Sequence, residues 1–304
     1  MNFSVTFSNG TNSFNEGFYL TVFHNFENKN NLILALVIIY IITLLGNLVL
    51  LAVVLMNSSL QNPKELAVCN LAIVDISMNS VIIPQMVPVL VFNQNYVSFG
   101  ACFSQMFFMH FFGDMESFSL ALLAYDRLIA ILWIWSLVVL LEIFRVIFAA
   151  RLPYCDSREV QSCCCEHGPA YKLACTDTSY NRQLATAKTL TVLLGPLTFI
   201  IFTYVIVVVA VTRIASTSQR WKAFHTCLTH LLLVLLYYIP VILAYILGNL
   251  RLIQNFDLYT AVLTVSVIIP PMLNPIIYSL KTDELKLLGK PKVAQQIIKN
   301  EAYG

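Results

Sequence analysis

The chain has 304 residues, of which 58% are hydrophobic and only 11% are charged, and its formal net charge is +2. A soluble domain carries about 25% charged residues, so this chain has too few polar groups to cover a soluble globule of its size. The composition predicts an integral membrane protein, excludes disorder, and gives no reason to expect a nucleic-acid partner.

Continuous apolar runs recur along the chain, and a spanning helix needs about 20 such residues. The predicted spans are residues 32–56, 66–92, 100–131, 132–150, 184–212, 223–249 and 258–280. The runs are continuous rather than alternating, which favours helices over a barrel. We therefore predict an all-α membrane protein, a seven-transmembrane helix bundle.

The whole chain, 1–304, is predicted to form one domain. Residues 1–31 are an extracellular tail, 32–280 the helix bundle and 281–304 a cytoplasmic tail. This tail is expected to begin with a short amphipathic helix that lies along the membrane and ends at Gly289 and Pro291.

The predicted orientation follows from the basic residues of the short loops, which favour the cytoplasmic side. An extracellular N-terminus places most of them inside: Lys64, Arg213, Arg220, Lys222, Lys281, Lys286 and Lys290. It also exposes the sequons at Asn2 and Asn9, which are then expected to carry glycans. The expected location is the cell membrane, with multiple passes through lipid.

Two acidic residues lie deep within predicted spans, Asp75 in the second and Glu116 in the third. A charge at the bilayer centre costs about 2.5–3.5 kcal/mol, so these side chains are expected to face partners inside the bundle. They could share a proton or bind a cation together. Alternatively, one protonated acid is hydrogen-bonded by Asn47 or Asn274.

The stretch AYDRLIAILWIWSLVV, residues 124–139, joins the third and fourth spans without a polar connection. Asp126 and Arg127 form either a switch that breaks when the bundle opens or an interfacial ion pair. In the last span, Asn274-Pro275 precedes Tyr278 by one turn. Pro275 removes a backbone hydrogen bond and allows a kink.

Several motifs follow one another in a fixed order. They are Gly46-Asn47, LAIVD ending at Asp75, Cys102, MES with AYDR over 115–127, KAFHTCLTHL over 222–231 and PMLNPIIYSLK over 271–281. This series resembles the rhodopsin-like (class A) G-protein-coupled receptors, and among them the odorant receptors. The MES form is similar to the fish-type group. The resemblance covers nearly the whole chain.

The resemblance implies roles for individual residues. Cys102 would pair with Cys165, although adjacent Cys163 and Cys164 leave the register open, and Cys155 would pair with Cys175. A metal site at Cys165 and His167 is the rival interpretation. The G-protein switch would comprise Asp126, Arg127, Asn274, Pro275 and Tyr278, and the inner polar network Asn47, Asp75 and Glu116.

The resemblance also implies a ligand pocket in the outer half of the bundle. His110 and Asp114 are four residues apart, hence on one helix face, and polar groups in an apolar wall give a pocket specificity. Tyr238, just before Pro240, matches a tyrosine of the sixth span that lines such pockets. The alternative is a buried hydrogen bond between His110 and Asp114 that only supports the helix.

The chain departs from the family pattern after AYDRLIAI. The pattern continues with Pro-Leu and a basic cytoplasmic loop, whereas here LWIWSLVV follows directly, so we expect the second intracellular loop to be missing. The fold could persist with a minimal connection, the chain could fail to reverse, or the sequence could be a mis-joined gene product. We expect that the sequence originates from a mis-joined gene product, and that the structure keeps the fold with a minimal connection. Glu142 and Arg145 would lie inside the short fourth span, able to pair.

The predicted function is an odorant receptor that binds a small molecule and activates a heterotrimeric G protein of the olfactory, stimulatory type. The alternative is a non-signalling receptor remnant. A retinal pump is excluded because the last span, 258–280, has no lysine. Neither a catalytic constellation nor a phosphate loop is present, so we expect no enzyme activity, no cofactor and no metal.

Overall fold

Seven long helices make up most of the computed structural model, which describes residues 17–21, 29–57, 63–92, 95–125, 128–155, 158–213, 217–249 and 256–281. They are α1 (Lys29–Met56), α2 (Pro63–Phe92), α3 (Phe99–Tyr125), α4 (Leu128–Ala150), α6 (Ser179–Thr212), α7 (Thr217–Asn249) and α8 (Phe256–Lys281). A one-turn helix, α5 (His167–Tyr171), lies in the loop between α4 and α6. The helix-bundle fold predicted from composition is confirmed.

Five of the described helices, α1, α2, α4, α6 and α8, are long and apolar enough to cross a bilayer. Their outward faces carry large apolar side chains, such as Leu45 and Val49 on α1 and Phe202 on α6, as expected where lipid is the solvent. The third helix has a buried acidic pair, Asp114 and Glu116, on its inner turns and packs against α2, α4 and α6. The bundle is therefore apolar outside and polar along its axis.

A small sheet covers one end of the bundle, which we call the sheet end. Its strands are β1 (Gly17–Leu20), β2 (Tyr96–Ser98) and β3 (Glu159–Val160), in the order β2-β1-β3. The first strand runs antiparallel to β2 and parallel to β3. Phe18 of β1 is fully buried and packs edge-on against Phe99 and Tyr154, so the N-terminal strand is anchored by an aromatic cluster.

The fused third and fourth spans separate into two antiparallel helices. Only Asp126 and Arg127 lie between the end of α3 and the start of α4, and both fall outside the described residues. Near this end Trp135 packs on Phe111, with ring centroids 5.4 Å apart, while at the sheet end Tyr154 packs on Phe103 at 6.4 Å. The chain after α3 thus runs back along it, since residues further along the chain lie beside residues nearer the start of α3. The expectation that the chain reverses with a minimal connection is met, and the alternative prediction, that it fails to reverse, is wrong for this structure.

Asn70 of α2 fixes the start of α4 to its neighbours. Its side-chain carbonyl accepts a 2.9 Å hydrogen bond from Trp135 Nε1, and its amide donates to Ser119 Oγ at 2.7 Å. This network joins α2, α3 and α4 where the connection is shortest. Inside α4, Arg145 Nη1 donates to Glu142 Oε1 at 3.0 Å, which confirms the predicted pair.

Candidate functional site

A cavity of about 300 Å³ lies between α2, α3, α6, α7 and α8, and loop residues before α5 complete its wall. Apolar side chains form most of the lining, among them Met78, Ile82, Val192 and Val267. Such volume and lining are typical of small-molecule sites, which add a few polar groups to fix orientation. Both predicted pocket residues of α3, His110 and Asp114, line this cavity.

A buried cluster of charges forms one wall. Lys188 of α6 forms ion pairs with Asp114 of α3 and, at 2.5 Å, with Glu142 of α4. Glu142 is also the partner of Arg145, so two acids and two bases meet away from solvent. The partner of Asp114 is therefore Lys188, and the structure does not support the predicted alternative of a purely supportive bond between His110 and Asp114.

Two imidazoles lie next to this cluster. His110 of α3 and His167 of α5 have ring centroids 4.9 Å apart, and His167 Nδ1 is 3.1 Å from the Tyr171 hydroxyl. Burial, together with the positive charges of Arg145 and Lys188, lowers the pKa of His167 well below its usual range. The Nε2 atoms of both rings are buried and have no hydrogen-bond partner among the described residues, so they can bond to a ligand.

Glu166 supplies a further titratable group from the loop. Burial raises the pKa of its carboxyl to about 7, while a hydrogen bond with Ser162 acts in the opposite direction. The side chain lines the cavity. Its charge therefore changes near neutral pH, next to the space that a ligand would occupy.

The predicted pocket tyrosine, Tyr238, is not among the residues that line this cavity. Its hydroxyl lies 2.9 Å from Ser117 Oγ inside the hydrophobic core. Its neighbour Tyr237 lines the cavity instead and donates to the Gly113 carbonyl at 3.1 Å. Adjacent helical residues point about 100° apart, and a family motif gives the residue types but not which of the two faces the cavity.

The inner polar network lies below the cavity. Asn274 Nδ2 of α8 donates to Asp75 Oδ2 at 2.9 Å, and Asn47 donates to the Pro271 carbonyl at 3.1 Å. One oxygen each of Asp75 and Glu116 is buried and has no hydrogen-bond partner in the part of the chain that the structure describes. Glu116 also lines the cavity floor, so this residue connects the cavity with the network.

The predicted switch residues are only partly described. Asp126 and Arg127 lie outside the described residues, as do the sequons at Asn2 and Asn9 and the tail after residue 281. Pro275 lies inside α8, and a Cβ atom added at Gly46 of α1 would be only 2.9 Å from its Cγ. Gly46 therefore allows α1 and α8 to approach closely at the proline.

His230 joins three helices in the half of the bundle opposite the sheet end. Its Nδ1 lies 3.0 Å from the Tyr204 hydroxyl of α6, and its Nε2 lies 3.0 Å from the Leu120 carbonyl of α3. The Tyr204 hydroxyl also donates to the Cys227 carbonyl. Sequence reasoning gave His230 no role, because its partners come from helices distant in the chain.

One disulfide, Cys102–Cys165, ties the long loop to α3, and a second, Cys155–Cys175, lies within the loop; both pairings are those that the resemblance implies. Because Cys165 is consumed by one of them, the rival metal site at Cys165 and His167 is wrong. Among the described residues, no group of three or more His, Cys, Asp or Glu is arranged to hold a metal ion.

Lys188 is the main functional candidate that sequence reasoning missed. It lies in RQLATAKTL, more than two turns inside α6, where the predicted span begins at residue 184. An ionisable residue within a span is a signal in itself, since its partners are normally functional. The acids that surround it, however, come from two other helices.

The arrangement of seven antiparallel helices around an axial polar network defines a rhodopsin-like receptor fold. The crystal structure of squid rhodopsin is similar, with a TM-score of 0.64 at 18% identity, over 85% of this chain and 83% of that one. At that identity the likeness concerns the fold.

Sequence comparison gives the family. The olfactory receptor profile matches residues 36–290. Olfactory receptor 10A6 of Homo sapiens is 33% identical over 291 residues, 88% of this chain and 91% of that protein. Olfactory receptor 1f45 of Rattus norvegicus is 29% identical over 279 residues, 86% and 88% of the two chains.

The chain belongs to the olfactory receptor family. Family and fold together identify an odorant receptor of the G-protein-coupled class, a multi-pass membrane protein and not an enzyme.

Proposed function

We propose that this receptor binds a compact organic molecule in the cavity and activates a heterotrimeric G protein of the stimulatory type from the opposite end. The observation that carries this proposal is the apolar cavity of about 300 Å³ with its charged wall. Its volume is at the lower end of the range for ligand sites, about 300–1,000 Å³, so the ligand is small.

The polar groups of the cavity give the ligand its orientation. Lys188 uses an ammonium group with three donors on two acids, Asp114 and Glu142, and so retains donor capacity for a ligand. His110 offers its Nε2 from the neighbouring turn. A ligand with one polar head and an apolar body would place the head at this wall and the body among the methionine and branched side chains.

Activation is a population shift. The ligand contacts α3, α6, α7 and α8 at one end, while His230 ties α7 to α3 and α6 at the other. A ligand that prefers the arrangement with α7 displaced favours the state in which these bonds are broken. The groove that this opens lies near Arg127, which with Asp126, Asn274, Pro275 and Tyr278 forms the proposed switch.

The proposed topology puts the N-terminus and the sheet end outside. The disulfides of the long loop support this orientation, since disulfides form in oxidising compartments. The basic residues of the short loops support it independently. Asn2 and Asn9 would then be glycosylated, and assignment to the fish-type group stays a proposal on the MES motif.

Asp75 and Glu116, with Asn47, are proposed to share a proton or a cation. The unpartnered oxygens of the two acids support this sharing, whereas the Asn274 hydrogen bond supports a protonated Asp75. Both arrangements avoid two bare charges at the bilayer centre.

A second candidate is a non-signalling receptor remnant. It is favoured by the two-residue interval between α3 and α4, which leaves no second intracellular loop to contact a G protein. A mis-joined gene product would explain the same interval, and a full-length transcript containing the loop would establish that origin.

Expression in a cell that reports cyclic AMP tests the proposal. The chain is compared with a version that has a family-type second intracellular loop inserted after Ile131, where the family pattern is interrupted, across amino acids, bile acids and small carboxylic acids. We expect ligand-dependent cyclic AMP from the restored version, lost at equal surface staining when Lys188→Met is combined with Asp114→Asn, which keeps the buried charges balanced. Normal surface staining with no response to any ligand in either version would favour the remnant.

A further inference from the structure

The loop that completes the cavity wall holds two adjacent free thiols. The Sγ atoms of Cys163 and Cys164 are 3.6 Å apart, both residues are buried, and both line the cavity. The next residue, Cys165, is already bonded to Cys102. Five of the eight cysteines thus lie in the single loop between α4 and α6, and three of these five are already joined in disulfides.

We propose that Cys163 and Cys164 form a vicinal disulfide, which gives the wall of the ligand cavity a reversible redox pair. Two S–H bonds break and one S–S bond forms. The two protons and two electrons pass to the disulfide of a secretory-pathway oxidoreductase, which leaves as a dithiol. The proposal rests on the orientation given above, in which this loop faces the oxidising side of the membrane.

The structure favours a bond between Cys163 and Cys164 over exchange of either thiol with the Cys102–Cys165 disulfide. The Cys165 backbone N–H donates to Gln105 Oε1 of α3 at 3.0 Å, which holds Cys165 opposite Cys102. Cys163 and Cys164 point instead toward the cavity, with sulfurs in mutual contact. The other free cysteines, Cys69 of α2 and Cys227 of α7, lie on the helices outside this loop.

A bond between adjacent residues is easier to reduce than an ordinary disulfide. Neighbouring Cα atoms are about 3.8 Å apart, whereas disulfides usually join Cα atoms about 4.4–6.8 Å apart. The resulting strain raises the reduction potential, and strained disulfides are the labile ones. In the reduced state, contact with the Cys163 thiol and burial raise the pKa of the Cys164 thiol, so thiolate is scarce and reoxidation needs the loop to open.

Closing the pair would change the cavity itself. Cys163 Sγ lies 3.4 Å from Thr264 Oγ1, which belongs to the part of α8 that lines the cavity. An S–H group can donate to that hydroxyl, but a disulfide sulfur can only accept. Oxidation therefore alters a contact between the loop and α8 at the ligand site.

Peptide mapping of the full-length receptor tests the proposal without any ligand, so its failure is distinct from a failure of the proposed function. Receptor isolated from the cell surface is denatured, alkylated without reductant and digested. We expect the peptide with Cys163, Cys164 and Cys165 to be linked to Cys102, unalkylated at Cys163 and Cys164, and lighter than the dithiol form by two hydrogens. Alkylation at both positions, or a bridge from Cys102 to either, would overturn the proposal.

Graded reduction and two variants complete the test. The vicinal bond should open at a concentration of dithiothreitol about tenfold lower than Cys102–Cys165, as expected for a strained bond. Cys163→Ser and Cys164→Ser should each expose one alkylatable thiol while Cys155–Cys175 stays closed. If all the disulfides are reduced at the same dithiothreitol concentration, the proposal of a readily reversible redox pair is contradicted, whatever result the two variants give.

Discussion

Lys188 of α6 and Asp114 of α3 form a salt bridge across the wall of the ligand cavity. The same ammonium contacts Glu142 of α4, so a single lysine joins three helices around the site. Both acids are buried, so Asp114 depends on this lysine for its charge balance, whereas Glu142 has both Lys188 and Arg145 as partners.

Lys188→Met should destabilise the receptor by about 3–5 kcal/mol, because it leaves two buried acids with too few cations. Surface abundance and thermal unfolding of detergent-solubilised protein measure the loss. Adding Asp114→Asn to the same chain should recover most of the stability, since Glu142 keeps Arg145 as its partner and no uncompensated acid then remains. Lys172→Met, which removes an exposed lysine of the preceding loop, is the matched control and should change little. If the Lys188 and Lys172 variants unfold alike, the salt bridge has no structural importance.

Gly46→Ala should destabilise the packing of α1 on α8 by about 1–3 kcal/mol, as overpacking does. The added Cβ would lie 2.9 Å from Pro275 Cγ, within a ring that cannot rotate away. Gly100→Ala is the control, because a Cβ atom there meets nothing within 4 Å and alanine is the better helix former. Thermal unfolding of both variants is the measurement, and equal midpoints would contradict the close approach.

Glu166 should make stability depend on pH between about 4.5, the ordinary value for glutamate, and its folded pKa of about 7. In that window the folded carboxyl holds a proton that the unfolded one has released, so stability falls as pH rises. We expect the melting temperature to decrease across the window and Glu166→Gln to flatten this part of the profile. Glu159→Gln, at the exposed first residue of strand β3, serves as the comparison. If Glu166→Gln leaves the pH profile unchanged, burial does not raise the pKa of this carboxyl.

His230→Phe should raise basal signalling of the loop-restored receptor. The variant loses the contacts to Tyr204 and to the Leu120 carbonyl, each worth about 1 kcal/mol, and about 1.4 kcal/mol changes an equilibrium tenfold. A several-fold increase in ligand-free cyclic AMP at equal surface expression is expected. Tyr204→Phe, which loses only part of the network, should give a smaller increase. Reduced basal activity in both would mean that these bonds stabilise the active arrangement instead.

Sequence reasoning predicted the bundle because apolar runs of spanning length need no tertiary information. It also predicted the Glu142–Arg145 pair, since residues three apart on one helix are neighbours. It missed the link from Lys188 to Asp114, which joins residues 74 positions apart through packing of α3 on α6. It placed Tyr238 in the cavity where Tyr237 lies, because a motif gives the residue type and not the rotation of the helix.

The position of the two chain ends relative to the membrane tests the central claim most directly. A seven-helix receptor with the sheet end outside must carry its N-terminus outside and its C-terminus inside. Epitope tags at both ends, stained in intact and in permeabilised cells, give the answer. We expect the N-terminal tag to be stained in intact cells and the C-terminal tag only after permeabilisation. Both tags on the same face would contradict the receptor topology for this chain.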